Sequence, residues 1–125
     1  YGVRAEGNLG SYTSTWSADF NDPDNFFYTF FAPQNTVKRS FNYDNPEASN
    51  KVAEARKMND QDERIKLYQE LEKQIIQEDA AWVPLYSRQH IYVVNPRVQN
   101  YVVMWNGWTG NMYYNMYIDN TKAPQ

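Results

Sequence analysis

Cysteine is absent from the 125 residues, and histidine occurs once, at position 90. The first absence excludes disulfides and thiolate metal sites, and it suits a cytosolic or an extracytoplasmic protein equally well. With His90 alone, a zinc cluster or a Ser-His-Asp relay has a single imidazole to rest on and no nucleophile beside it in sequence, so His90 reads as a strand-surface histidine. An excess of basic residues is also missing: 12 Lys and Arg stand against 15 Asp and Glu, for a net charge of -3. Nucleic-acid backbones are bound by clustered cations that displace counterions, and no basic stripe exists here, so no nucleic-acid partner is expected. No apolar run approaches the ~18 residues of a membrane span. The start, Tyr1-Gly2-Val3-Arg4, lacks the form of a signal peptide, so the targeting signal of an exported parent is expected upstream. Glycine is scarce at five, and three of the five fall in the first ten residues, a loose lead-in.

What is present suits a soluble globular chain of about one domain, with 42% hydrophobic and 22% charged residues. The 17% aromatic content is high, and large rings either fill a core or build a surface for something flat or apolar. Residues 11–18 alternate aromatic or β-branched with small side chains and predict a strand. Asn21-Asp22-Pro23-Asp24 then closes a turn in which Asp22 can cap a helix over 23–31, ended by Pro33. A second helix, over 45–58, starts with Asn45 as cap and Pro46 in its first turn, and shows Ala48, Val52 and Ala55 on one face. A third, over 60–79, has Asp60 as cap, Glu63 completing a box-like pattern, and a stripe of Leu67 or Tyr68, Leu71, Ile75 and Ile76. Strands follow at 82–86 and 90–94, the latter bounded by Asn95-Pro96. The result is an α/β chain. From residue 100 to 118 the character changes to Tyr101, Trp105, Trp108, Tyr113, Tyr114 and Tyr117 among Asn, Gly and Met, without helical period, which reads as an extended aromatic tail lying against something large.

The chemistry concentrates at Thr15-Trp16-Ser17-Ala18-Asp19, the exit of the first expected strand. A carboxylate fixed there can pair with the free α-amino group of a peptide through a charge-assisted hydrogen bond, roughly twice as strong as a neutral one. It can equally cap the following turn by an Asx bond. Backbone around Thr15 to Ser17 can pair with an extended ligand as an added strand, and Trp16 can wall a side-chain pocket or serve as ordinary core. Asp22, Asp24 and Asn25 hint at a calcium loop, but proline and phenylalanine break the alternating oxygen spacing and no metal is expected. Nothing singles out a catalytic pair among the acidic residues, so no enzyme and no cofactor are expected. A carbohydrate-binding module using Trp105, Trp108, Tyr113 and Tyr114 as a stacking platform is a competing reading; such modules are usually β-sandwiches, whereas residues 45–79 have helical periodicity. A structural piece with no ligand of its own is a third.

The run Trp16-Ser17-Ala18-Asp19-Phe20-Asn21-Asp22-Pro23, followed by an aromatic helix, resembles the extracellular solute-binding proteins of peptide ABC importers, the oligopeptide- and dipeptide-binding family. Three later segments resemble that family in the same order: Phe41 to Glu47 its "Y-x-N-P-E" helix entry, Asp62 to Tyr68 its "R-x-x-L-Y" helix, and Ala81 to Tyr86 its "P-x-x-P-L-Y" strand, here without the first proline. Asn111 to Asp119 resembles the closing segment of its oligopeptide-binding members. Those proteins are several times longer, so the resemblance implies a C-terminal piece of a two-lobed type II periplasmic-binding fold, with residues 1–99 in the second lobe and 100–125 returning toward the other. It implies that Asp19, matching the aspartate of W-x-A-D, holds the peptide amino group, with Thr15, Trp16 and Ser17 beside it. Thr13 stands where some members that grip short peptides carry an arginine, which leaves room for longer peptides. The partners implied are an oligopeptide, an ABC permease and the rest of the parent protein, which is extracytoplasmic and membrane-anchored as a lipoprotein. Separated from that parent, the chain is expected to self-associate.

Overall fold

A computed structural model describes residues 2, 6–37, 39, 42–105 and 113–122. The chain divides into two compact units, 1–84 and 85–125.

Among the described residues, the first unit is built around three helices of eight residues or more. α1 spans Asp24–Phe31; its first turn is prepared by Pro23 and by the Asp22 carboxylate, which accepts the Asp24 backbone N–H at 2.8 Å. The helix stops because Ala32 precedes Pro33, and the proline ring drives the preceding residue out of the helical region, here to ψ 147°. α2 spans Pro46–Ala55, capped by Asn45, whose side chain accepts the Ala48 N–H at 3.2 Å. It ends three residues before the expected boundary at 58. The Ala55 carbonyl is taken by the Met58 N–H and by Nε–H of the buried Arg64, which satisfies a helix-end acceptor from another element. α3 spans Gln61–Glu72 and passes into a π-helical turn, Lys73–Glu78. Asp60 caps it through the N–H groups of Asp62 and Glu63, both at 3.0 Å. The expected reciprocal bond from Glu63 is replaced by an ion pair to Lys66 at 2.7 Å, one turn along the exposed face. The turn closes with Ala80 at φ 49° and the Ala81 N–H on the Ile75 carbonyl, a left-handed exit that satisfies the last helical acceptors.

The helices meet along the stripes that their periodicity predicts. Ala48, Val52 and Ala55 of α2 pack in one cluster with Tyr68 and Leu71 of α3 and Ile75 of the π turn, and Phe30 and Phe31 of α1 close it, all nine-tenths or more buried. Trp82 lies over the end of it, with ring centroids 4.9 Å from Phe30 and 4.8 Å from Phe31. Edge-on or tilted aromatic packing of this kind adds to the area that the rings bury.

The second unit is a two-stranded antiparallel ladder, β1 (Val98–Gln99) with β2 (Tyr117–Ile118), in which Val98 opposes Ile118 and Gln99 opposes Tyr117. A 3₁₀ turn, Tyr113–Asn115, precedes β2, so this part of the expected extended tail is wound. Trp108 lies outside the described residues. Trp105, Tyr113, Tyr114 and Tyr117 are exposed, as are Ile91 and Val93.

The strands expected at 11–18, 82–86 and 90–94 do not form: none of these segments enters a ladder among the described residues. A strand exists only with a hydrogen-bonded neighbour, and their alternating side chains carry no information on whether this chain supplies one. His90 accordingly sits exposed on a segment outside any strand, its ring stacked 6.2 Å from that of Tyr92. The mixed helical chain with a small sheet is compatible with a piece of an α/β solute-binding protein.

Candidate functional site

The segment before α1 is fixed by one side chain of that helix. Asn25, 3% exposed, sits in the first turn of α1 and is used by its neighbours at both ends of its amide. Its Oδ1 accepts the indole Nε1–H of Trp16 at 2.7 Å and the backbone N–H of Asp19 at 3.2 Å. Its Nδ2 donates to Asp19 Oδ2 at 3.4 Å. The half-buried Trp16 ring meets Phe30 edge-on, with centroids 5.2 Å apart, and the Arg39 guanidinium lies 5.4 Å from its centre. Asp19 itself is exposed, as are Thr15 and Ser17, so the carboxylate presents an oxygen to solvent while its backbone is tethered.

Behind this wall lies a polar network that ties α1 to α3. Arg64, 8% exposed, donates from Nη1 to Asp22 Oδ2 at 2.8 Å and from Nη2 to Asp22 Oδ1 at 2.6 Å, a bidentate pair. The Tyr68 hydroxyl receives a further Nη2–H at 3.3 Å and donates to Asp24 Oδ1 at 3.2 Å. Arg56 completes the network 3.7 Å from Asp24 Oδ2, over the ring of Tyr28. The hydrogen bond from Arg64 is the main cause that holds the Asp22 carboxyl below its ordinary value. Burial, with the Asp24 carboxylate beside it, pushes the Tyr68 phenol up to about 12. Both groups therefore keep one charge state across the physiological range, which suits a rigid support.

A second feature is an open depression of about 510 Å³ beside Asn42, Tyr43, Asn45, Pro46 and Asp79. The Asp79 carboxylate there already accepts from Tyr43 Oη–H at 2.5 Å, Asn45 Nδ2 at 2.8 Å and Gln74 Nε2 at 2.8 Å, bonds that hold it below the ordinary carboxylate value. Those bonds brace the start of α2 against the end of the π turn. Among the described residues no group of three or more His, Cys, Asp or Glu side chains is arranged to hold a metal ion. No helix among them is long and apolar enough to cross a membrane.

Of the residues singled out in the sequence, Trp16 and Asp19 are brought together by a shared partner, and Thr15 and Ser17 flank them in exposed positions. The partner, Asn25, enters the sequence reading only as part of a hinted calcium loop. An amide six residues after Asp19, in the first turn of an expected helix, is the signal that the sequence carries.

Trp16 and Asp19 thus share one buried tether, and the proteins that the sequence resembles are solute-binding proteins. The chain is 31% identical over 114 residues to the periplasmic oligopeptide-binding protein OppA of Escherichia coli and 30% identical over 120 residues to that of Salmonella typhimurium. It is 29% identical over 115 residues to heme-binding protein A of Haemophilus influenzae. These matches take in 89%, 94% and 91% of the chain respectively, and the chain spans 20% of the length of each relative. No family model and no solved structure matches.

Proposed function

We propose that the chain forms one wall of the ligand cleft in a two-lobed, extracytoplasmic peptide-binding protein that delivers oligopeptides to a membrane ABC permease. The observation that carries this is the tether of Asp19 and Trp16 to the buried Asn25. It leaves a carboxylate facing solvent, where a second lobe can close over it. Asp19 holds the peptide amino group, the backbone of Thr15 to Ser17 pairs with the extended ligand, and Trp16 walls a side-chain pocket. Bridging waters in the remaining pockets tolerate varied side chains, so selectivity among sequences is broad. Closure of the lobes, rather than any chemical step, creates the surface that the permease recognises. The similarity to the two oligopeptide-binding proteins supports this reading.

The similarity to a heme-binding protein supports a second ligand, for which a ring such as Trp16 is a suitable wall. Asp19 argues against it, because its charge repels the carboxylates of a haem and attracts an ammonium group. Calorimetric titration of the intact two-lobed protein with peptides bearing free or acetylated amino termini separates the two. Tight binding of the free form and weak binding of the acetylated form are expected; equal affinities sink the role of Asp19, and haem binding without peptide binding establishes the second reading.

The isolated chain is expected to self-associate, since Leu85, Tyr86, Ile91 and Val93 are 69%, 74%, 89% and 98% exposed on segments outside any ladder. A monodisperse monomer in light scattering, unfolding cooperatively, contradicts this.

A further inference from the structure

We infer that Asn25 is a positioning residue: its buried amide sets the Asp19 carboxylate and the Trp16 indole in one fixed arrangement, and so confers the preference for a free amino terminus. The inference rests on the reading of Asp19 as the ammonium partner. It adds a residue that does not itself touch ligand.

The geometry is specific to an amide. Trp16 needs an acceptor for its indole N–H, the Asp19 backbone needs another, and Asp19 Oδ2 needs a donor. One Asn side chain meets all three requirements, because its carbonyl oxygen has two lone pairs and its NH₂ group points the other way. A carboxylate at this place keeps the acceptor and loses the donor, setting two negative groups against each other; an alanine loses all three bonds. Asn25 is held in turn by its place in the first turn of α1, which the Asp22–Arg64 pair anchors to α3. The exposed Asp19 therefore has a rigid root. A charged side chain that must receive an ammonium group in one orientation gains affinity when its rotamers are limited in advance, since less freedom is lost on binding.

Two measurements test this. In the isotopically labelled intact two-lobed protein without ligand, the Trp16 indole N–H, identified by its disappearance in Trp16→Phe, is expected to exchange slowly with solvent. The protection should persist in Asn25→Asp, which retains the acceptor, and vanish in Asn25→Ala. An indole proton that exchanges freely in the unaltered protein, or is equally protected in Asn25→Ala, overturns the inference whatever ligand the protein takes. In the intact two-lobed protein, the ratio of affinities for free and N-acetylated peptides is expected to fall about tenfold in Asn25→Ala, the size associated with one lost hydrogen bond to a charged group. The ratio is the discriminating readout, because a fold that is merely loosened lowers the active fraction and weakens both peptides alike. Selectivity retained in Asn25→Ala overturns the role of Asn25 alone. Indifference to acetylation in the unaltered protein overturns instead the reading of Asp19 on which it rests, and is distinguishable because the indole exchange does not depend on peptide.

Discussion

Arg64→Ala is expected to destabilise the unit formed by residues 1–84 by about 3–5 kcal/mol, the range for removing one partner of a buried ion pair. The expectation is at the upper end for a single substitution because Arg64 satisfies three acceptors at once: the Asp22 carboxylate, the Ala55 carbonyl and the Tyr68 hydroxyl oxygen. Truncation leaves a half-buried carboxylate without its cation and a helix-end carbonyl without its side-chain donor. Arg64→Lys rescues little, since an ammonium cannot span Asp22 in bidentate fashion and reach Ala55 as well. Equilibrium denaturation of Arg64→Ala, Asp22→Asn and the double variant measures the coupling. Additive losses, or a loss of under about 1 kcal/mol for Arg64→Ala, exclude the network as a support.

The same pair sets an acid dependence. Folded Asp22 is a stronger acid than its unfolded counterpart, whose value is 3.8, so the unfolded chain binds the proton first as pH falls. The stability it contributes is complete above about pH 5 and is lost as pH drops through the lowered folded value. Arg64→Ala, which removes the main cause of the shift, should flatten that part of the pH profile of unfolding.

On the proposed function, in which a second lobe closes over Asp19, Asp19→Asn in the intact protein is expected to weaken binding of free-amino peptides by about 2–5 kcal/mol, the cost of removing one member of a desolvated, hydrogen-bonded charge pair. N-acetylated peptides should be affected far less. The magnitude depends on closure. In the present chain Asp19 is exposed, and an ion pair in water contributes only ~0–1 kcal/mol. The isolated chain should then bind peptides no better than about millimolar, near -4 kcal/mol. Ligand-observed NMR with a mixed peptide library tests the second half: micromolar binding by the isolated chain means that the site is self-contained and removes the need for a second lobe.

The three helices were legible in the amino-acid sequence because their signals are local. Asn45 and Asp60 cap within three residues, Pro33 ends α1 through its immediate neighbour, and the stripe of Tyr68, Leu71 and Ile75 repeats at helical spacing. The candidate carboxylate and indole were legible for a related reason, since Trp16 and Asp19 are three residues apart. The tertiary structure alone decided what these groups rest on. Arg64 and Asp22 are 42 positions apart, and on a helix whose charged residues mostly face water the hydrophobic periodicity does not reveal that this arginine turns inward or which carboxylate it meets. The strands expected at 11–18, 82–86 and 90–94 failed on the same ground: a helix satisfies its own backbone, whereas a strand depends on a neighbour that local pattern does not specify. Asn25 combines both cases, placed in the first turn of α1 by local capping, yet given its role only when folding brought Trp16 and Asp19 to the two ends of its amide.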